Sequence, residues 1–321
     1  MTSARAPIPV SFFGIAVGLL ALGNAWRVAT PLWHLPPDIA VAVTWTGLAA
    51  WLALLALYAR KWLRHAADAR AEMNHPVQSS FAALGPVASM LAAMALLPYA
   101  PHVAMAVFVA SVAAQLALGL WLYGRLWQGG RKPELVTHAL YLPAVAQNFV
   151  AGTSAATFGW PHLGVLFFGA GLFLWLAIES LVLGRAAVQE PLPEALRPVL
   201  GIQLAPPVVG GVAYMSINGG APDLFAQILL GYGLYQALLL LRLLPWIARQ
   251  PFTASYWAFS FGVAALPTLA MRLLASGAAG PVEWLAPVLF VAANVFIGLL
   301  VLKTLALAAR GSLLPAATPL R

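Results

Sequence analysis

The chain of 321 residues contains no cysteine, and only 8% of its residues are charged. Without cysteine there is no disulfide framework, no thiolate nucleophile and no cysteine-based zinc or iron–sulfur site. Soluble domains carry about 25% charged residues. With 62% hydrophobic residues and a mean hydropathy of +0.87, this chain has too few polar side chains to cover a soluble globule. Its main solvent is therefore expected to be a lipid bilayer.

Sequence motifs for catalysis are also missing. The chain has no phosphate-binding Walker loop, no HExxH and no Gly-x-Ser-x-Gly, so ATP-driven pumping by this chain alone is excluded and no enzyme is indicated. The six histidines lie at the ends of apolar runs or between them, without the spacing of a helical metal site. We predict no catalytic residue, no bound metal and no cofactor.

Apolar runs account for most of the chain. A helix needs about 20 mainly apolar residues to cross the hydrocarbon layer. We predict an all-α membrane protein whose ten spans lie at residues 10–29, 39–59, 77–97, 102–123, 139–158, 162–183, 198–216, 223–243, 252–274 and 282–305. Residues 10–305 then form one transmembrane domain of ten helices. Residues 1–9 form an N-terminal segment and residues 306–321 a C-terminal tail outside it.

Basic residues are distributed unevenly over the connections between these spans. All of the 17 Lys and Arg residues except Arg27 and Arg272 fall on the side that holds both termini. Because basic residues are enriched in cytoplasmic loops, both termini are predicted to be cytoplasmic, as an even number of spans also requires. The net charge of +8 therefore reflects topology, and the absence of a clustered basic face argues against nucleic-acid binding.

One polar connection is long enough to hold structure of its own. Residues 60–75 carry both basic and acidic side chains, and their spacing favours a short helix at the cytoplasmic surface. Even so, a solvated loop that fixes the topology is the preferred interpretation.

Proline distinguishes the odd-numbered spans from the even-numbered ones. The interior prolines of the odd spans are Pro86, Pro143, Pro206, Pro207 and Pro267, whereas the even spans contain only Pro287. Proline removes a backbone donor and kinks a helix, so the freed carbonyls need protein or water nearby. We predict five helical hairpins with the odd helices inside and the even helices facing lipid. Such kinked helices leave room for a central pore, although proline is also common in bundles without one.

Several short runs along the chain carry a family resemblance. They are HPVQSSF at 75–81, YLPAVAQNF at 141–149, LGIQLAP at 200–206, SINGG at 216–220, LRLLPW at 241–246 and WAFSFG at 257–262. In this order and spacing they resemble the tellurite-resistance/dicarboxylate transporter family, and within it the bacterial TehA-type proteins, which are similar to plant slow anion channels. The resemblance implies a bacterial inner-membrane protein with a pore in each subunit of a homotrimer.

The resemblance also implies which residues form the pore. In the family a phenylalanine of the ninth helix occludes the pore, and the Phe-Ser-Phe-Gly motif places it on Phe261, with Phe259 as the alternative. An aromatic constriction excludes water and so acts as a gate. The candidate pore-lining residues are Phe13, Gly14, Ser80, Phe81, Pro86, Pro143, Asn148, Phe149, Gln203, Pro206 and Ser260.

Charge inside the predicted spans is scarce. Glu179 is the most deeply placed carboxylate, which makes it a candidate for proton coupling. We favour a structural ion pair instead, because Arg185 and Arg242 lie near the same side. No Lys or Arg lies in the middle of an odd span, so polar donors and the overall positive charge are expected to favour small anions such as chloride, nitrate or tellurite. The sequence predicts a gated anion channel; the alternative is a proton-coupled carrier that exports dicarboxylate, tellurite or sulfite.

Overall fold

A computed structural model of the protein describes residues 7–314, which contain helices and connections but no strand. Ten helical segments of membrane length follow one another: α1 (Val10–Trp33), α2 (Pro37–Arg64), α3 (Gln78–Leu96), α4 (Pro101–Trp127), α5 (residues 138–157), α6 (Pro161–Val188), α7 (Glu194–Ile217), α8 (Leu224–Ile247), α9 (Ala254–Ala275) and α10 (Val282–Ala309). Within the described residues, nine of these, all except α5, are long and apolar enough to cross a membrane. The predictions for residues 1–6 and 315–321, including the placement of Arg5 and Arg321, lie outside the described residues.

The predicted fifth span corresponds to α5, whose backbone is helical throughout but is not a regular α-helix. It begins as a 3₁₀ turn (His138–Tyr141), widens into a π-helical stretch (Leu142–Ala146) and continues as an α-helix (Gln147–Thr157). Pro143 lies in the π stretch, where its ring and missing N–H disturb the regular hydrogen-bond pattern.

Other inner helices also begin in 3₁₀ geometry. The first residues of α1 (Val10–Phe12), of α7 (Glu194–Leu204) and of α9 (Ala254–Phe259) are wound in this tighter form before the α-helix starts. The even-numbered helices have no such opening within the described chain.

Several even-numbered helices continue about one turn beyond the apolar runs that predict them. The last turns of α2, α4 and α6 carry basic residues, among them Arg64, Arg125 and Arg185, which interact favourably with the exposed carbonyls of a helix C-terminus. Helix α8 extends through Pro245, so the even helices contain one more interior proline than predicted, besides the prolines at the first positions of α2, α4 and α6. A short helix occupies Ala66–Asn74 after α2. The spacing of the polar residues therefore indicates the structure correctly, whereas the preferred interpretation as a solvated loop is wrong.

Burial separates the two sets of helices. In the most apolar stretches of α1, α3, α7 and α9, 67% to 72% of the residues are buried, against 22% to 33% in the even-numbered helices. Helix α5 is buried over most of its length. The even helices expose large apolar side chains such as Leu120, Phe173 and Leu302, which suit contact with lipid.

Contacts between the helices follow a regular order. Each odd-numbered helix packs against the even-numbered helix that follows it, while the odd helices contact one another in the order α1, α3, α5, α7, α9, and α9 returns to α1. Glycine permits the close approach of α1 to α9, because a Cβ on Gly18 would lie 2.3 Å from the Ser260 Oγ. A Cβ on Gly14 would lie 3.6 Å from the nearest side-chain atom, the Trp257 Cβ, which is an ordinary van der Waals contact. The five inner helices thus contact one another in a closed sequence.

A buried ion pair ties the short helix to the beginning of α1. The Lys61 Nζ lies 2.8 Å from the Glu72 Oε2, and the two side chains are only 5% and 10% exposed. The other Glu72 oxygen accepts a hydrogen bond from the Val10 amide at 2.9 Å, and Lys61 also donates to the Ile8 carbonyl at 3.1 Å. The pair therefore fixes the chain just before it enters the inner layer of helices.

Candidate functional site: two cavities between the inner helices

The inner helices begin at one end of the bundle, here called the first face, and end at the opposite one, the second face. A cavity of about 110 Å³ lies near the first face and is lined by residues from all five inner helices. Ser11, Gln78, Leu142, Ile202 and Ser255 represent the five helices in this lining. Among the described residues that line this cavity, none has a charged side chain. It can hold water or a small ion, but it offers no strong binding site for one.

A second, narrower cavity of about 30 Å³ lies nearer the second face. It is again lined by all five inner helices, through Asn24, Met94, Thr153, Val212 and Thr268 among others. The Thr153 and Thr268 hydroxyls donate to carbonyls one turn earlier in their own helices, so their oxygens still have acceptor capacity.

One side chain belongs to both cavities. Of the residues that the structure describes, only Phe261 of α9 lines the first and the second cavity. It is partly buried, and it follows directly after the 3₁₀ opening of α9 and Ser260. The Phe261 ring therefore lies between the two spaces.

Phe259, the alternative gate residue, has a different environment. Its side chain is 4% exposed and its ring centroid lies 5.8 Å from that of Phe296 on α10. A Cβ on Gly201 of α7 would lie 2.4 Å from the Phe259 ring. Phe259 therefore packs among α7, α9 and α10 and lines neither cavity.

The structure separates the candidate pore-lining residues into two groups. Gly14, Phe81 and Ser260 line the first cavity. The residues that line neither cavity are Phe13, Ser80, Pro86, Pro143, Asn148, Phe149, Gln203 and Pro206. These eight residues border neither cavity, and their place in the lining of a pore stays a prediction.

Packing explains why several of these residues lie away from both cavities. Pro143 and Asn148 face a groove between α4, α5 and α6, where the Gln115 Nε2 donates to the Asn148 Oδ1 at 3.4 Å. Phe149 is fully buried, within 3.0 Å of where a Cβ on Gly210 would lie. The ring of Phe13 packs edge-on against a tyrosine of α2.

Gln203 takes part instead in a hydrogen-bonded cluster around Glu179 of α6. The Glu179 Oε2 accepts hydrogen bonds from the Tyr141 Oη at 2.7 Å and the Trp175 Nε1 at 2.9 Å. The Oε1 accepts from the Gln203 Nε2 at 2.7 Å and the Tyr232 Oη at 2.9 Å. Four uncharged donors thus join α5, α6, α7 and α8 through one carboxylate.

This cluster corrects the predicted ion pair of Glu179. Among the described residues, the ion pairs are Lys61–Glu72, His65–Asp68 and Arg197–Glu194, and Arg242 is exposed on α8. The uncharged donors satisfy the carboxylate without a cationic partner. Nor does Glu179 line either cavity.

Comparison with known proteins assigns the fold to a family. The SLAC1 family, described as voltage-dependent anion channels, matches residues 7–305. The chain belongs to the SLAC1 family. This membership supports anion transport as its general function.

Relatives of this SLAC1-family chain come from bacteria and plants. A tellurite resistance protein TehA homolog of Haemophilus influenzae is 38% identical over 300 residues, covering 93% of this chain and 90% of the relative. The S-type anion channel SLAH2 of Arabidopsis thaliana is 23% identical over 272 residues, covering 82% and 52%. The guard cell S-type anion channel SLAC1 of the same plant is 23% identical over 264 residues, covering 79% and 47%. The chain thus spans about half the length of these plant relatives.

Many cavity-lining residues of this SLAC1-family protein cannot be recognised from the sequence by their residue type. Val17, Leu84, Val199, Val209 and Ala265 line the cavities, yet they do not differ in type from ordinary core residues. Helical spacing from a known lining residue is the signal that finds them, because positions three and four apart share one helix face.

Proposed function

We propose that this protein is a gated anion channel in which the two cavities are parts of one passage and Phe261 closes it. The observation that carries the proposal is that Phe261 is the residue shared by two cavities that are each lined by all five inner helices. An apolar ring across a narrow passage excludes water, so an ion crosses only when the ring moves aside.

The proposed permeant ions are small monovalent anions such as chloride or nitrate, with oxyanions such as tellurite as further candidates. The linings offer uncharged donors such as Ser11, Gln78 and Asn24, and no carboxylate. Donors without full charge bind an anion weakly, and weak binding lets the ion leave again. The names of the relatives, which include anion channels and a tellurite resistance protein, support this class of substrate.

The proposed arrangement in the membrane follows from charge. The ten helices form five hairpins in the bacterial inner membrane, with both termini and the first face in the cytoplasm, because almost all basic residues lie on that side. Each subunit of a homotrimer contains its own passage; the trimer rests on the family resemblance.

A proton-coupled carrier for dicarboxylate, tellurite or sulfite is the second candidate, and the intramembrane carboxylate Glu179 is the observation in its favour. However, each Glu179 oxygen already accepts two hydrogen bonds. A proton arriving on either oxygen would displace a donor, and the carboxylate is separated from both cavities. These contacts favour the channel.

Recordings of purified protein in planar bilayers test the proposal. Phe261→Ala should raise the anion current well above that of the unmodified protein, in discrete single-channel steps, with reversal potentials that follow the anion gradient. Phe259→Ala is the matched control, since it removes the same ring from the same turn but outside the cavities. An unchanged current in a normally assembled Phe261→Ala protein contradicts the gate, and reversal potentials that follow the cation gradient contradict the anion channel.

A further inference from the structure

Two arginines lie near the second-face ends of inner helices. They are Arg27 of α1 and Arg272 of α9, the two basic residues that the charge pattern separates from all others. Both side chains are partly buried within helices of membrane length. An ionisable side chain at membrane depth is costly and marks a functional site by default.

Helical spacing places both arginines at the outer end of the second cavity. Arg27 follows the lining residue Asn24 by three positions, and Arg272 follows the lining residue Thr268 by four. Residues three or four apart lie on the same face of a helix, one turn from each other. Both arginines therefore lie one turn beyond the cavity, toward the second face.

Hydrogen bonds support this placement. The Arg27 Nη1 donates to the Met94 carbonyl at 3.2 Å, and the Arg272 Nη1 donates to the Val212 carbonyl at 3.3 Å. Met94 and Val212 themselves line the second cavity. Arg272 also donates to the Ser216 Oγ at 2.6 Å. Each guanidinium group is thus bound to the wall of the cavity and anchored by neutral oxygens.

The acids of the second face lie on the outer helices instead. Asp38 and Glu283 lie in the first turns of α2 and α10, and Asp223 caps α8. There they interact favourably with helix N-termini. In the described part of the chain none of them forms an ion pair with Arg27 or Arg272.

Local hydrogen bonds hold two of these acids in place. The Glu283 Oε1 accepts a hydrogen bond from the Gly280 amide at 3.0 Å. Asp223 accepts from the Ala226 amide at 3.0 Å and from the Tyr214 hydroxyl, and the hydrogen bond from Tyr214 lowers the pKa of Asp223. The second face is therefore positive at the centre and negative at the rim.

We propose that Arg27 and Arg272 form a capture site for small monovalent anions at the outer mouth of the passage. The inference rests on the proposed function, because it takes the second cavity as the outer part of an anion pathway. Two cations without carboxylate partners raise the local concentration of anions, and the partly apolar walls focus their field. The acids at the rim lie at the starts of other helices, and among the described residues none of them pairs with either arginine.

Screening by salt provides the test. The Debye length is about 30 Å at 0.01 M and about 3 Å at 1 M salt. The test uses membrane patches of known sidedness and protein that carries Phe261→Ala. When Arg27→Gln and Arg272→Gln are added together, the current of anions that enter from the second face should fall several-fold. This loss should appear at about 0.01 M chloride and disappear near 1 M. Arg27→Lys with Arg272→Lys should retain most of the current, and Arg64→Gln, on the exposed end of α2, should change nothing.

Two results would overturn the capture site. One is an equal current at low salt in correctly assembled Gln variants; the other is a loss of the same size at both salt concentrations, which indicates that the arginines only stabilise the helix ends. An equilibrium measurement keeps the inference testable if Phe261→Ala carries no anion current and the channel proposal fails. Nitrate, compared with the bulky anion gluconate, should raise the apparent melting temperature of the unmodified protein but not of the Arg27→Gln, Arg272→Gln protein. The same nitrate shift in both proteins overturns the site.

Discussion

Replacement of Glu179 by glutamine tests whether this carboxylate is a structural centre or a proton carrier. The side chain keeps its size, but one oxygen becomes an amide nitrogen that presents hydrogens instead of lone pairs. Each oxygen of Glu179 accepts two hydrogen bonds. Whichever oxygen is replaced, one N–H donor, of Trp175 or of Gln203, loses its acceptor, whereas the tyrosine hydroxyl beside it can turn and accept from the new amide.

The expected cost follows from that one donor. A buried donor left without a partner costs about 1–3 kcal/mol, and Glu179→Gln should destabilise the fold by about this amount. With a shift of about 2–4 °C per kcal/mol, the apparent melting temperature in detergent should fall by about 2–12 °C. Tyr141→Phe removes one donor and leaves no donor unpaired, so its effect should be smaller.

Thermal unfolding and anion flux together decide the question. Glu190→Gln is the control, because Glu190 is exposed just after the same helix. We expect Glu179→Gln to melt early yet conduct normally in the Phe261→Ala background at temperatures well below unfolding. An unchanged melting temperature with loss of pH-driven anion flux refutes this reasoning and makes Glu179 a coupling residue.

Two further substitutions test the packing of the inner helices. Gly18→Ala should cost about 1–3 kcal/mol because its Cβ would lie 2.3 Å from the Ser260 Oγ, whereas Gly14→Ala should be tolerated; equal yields of folded protein in size-exclusion chromatography contradict this. Lys61→Met leaves Glu72 buried without its cation and should lower the free energy of unfolding by about 3–5 kcal/mol. Adding Glu72→Gln to this variant should recover most of that stability. A double variant as unstable as the single one excludes the ion pair as the cause.

Proline and charge predict much of the fold from the sequence. Kinked helices need buried surroundings for their free carbonyls, and the helices that contain Pro86, Pro207 and Pro267 are indeed among the buried ones. The family motif directs attention to Phe261, and the structure then distinguishes it from Phe259 through the cavities and through Gly201.

The remaining site residues depend on features that a regular helix does not represent. A π-helical stretch contains more residues per turn than an α-helix, so Asn148 and Phe149, which follow the stretch at Leu142–Ala146, face other directions than even spacing predicts. Gln203 is drawn to Glu179, a partner on another helix. Long-range contacts of this kind have no signal in a single sequence.

The 3₁₀ opening of α9 has a geometric consequence for the ring between the cavities. Residues advance by about 120° each in a 3₁₀ helix and by about 100° in an α-helix. Over the six residues of Ala254–Phe259, the two windings differ by about 120°, or a third of a revolution. Phe261 follows almost directly after this segment, so its angular position is set by how those six residues are wound. The winding of Ala254–Phe259 therefore determines the direction in which the Phe261 ring points.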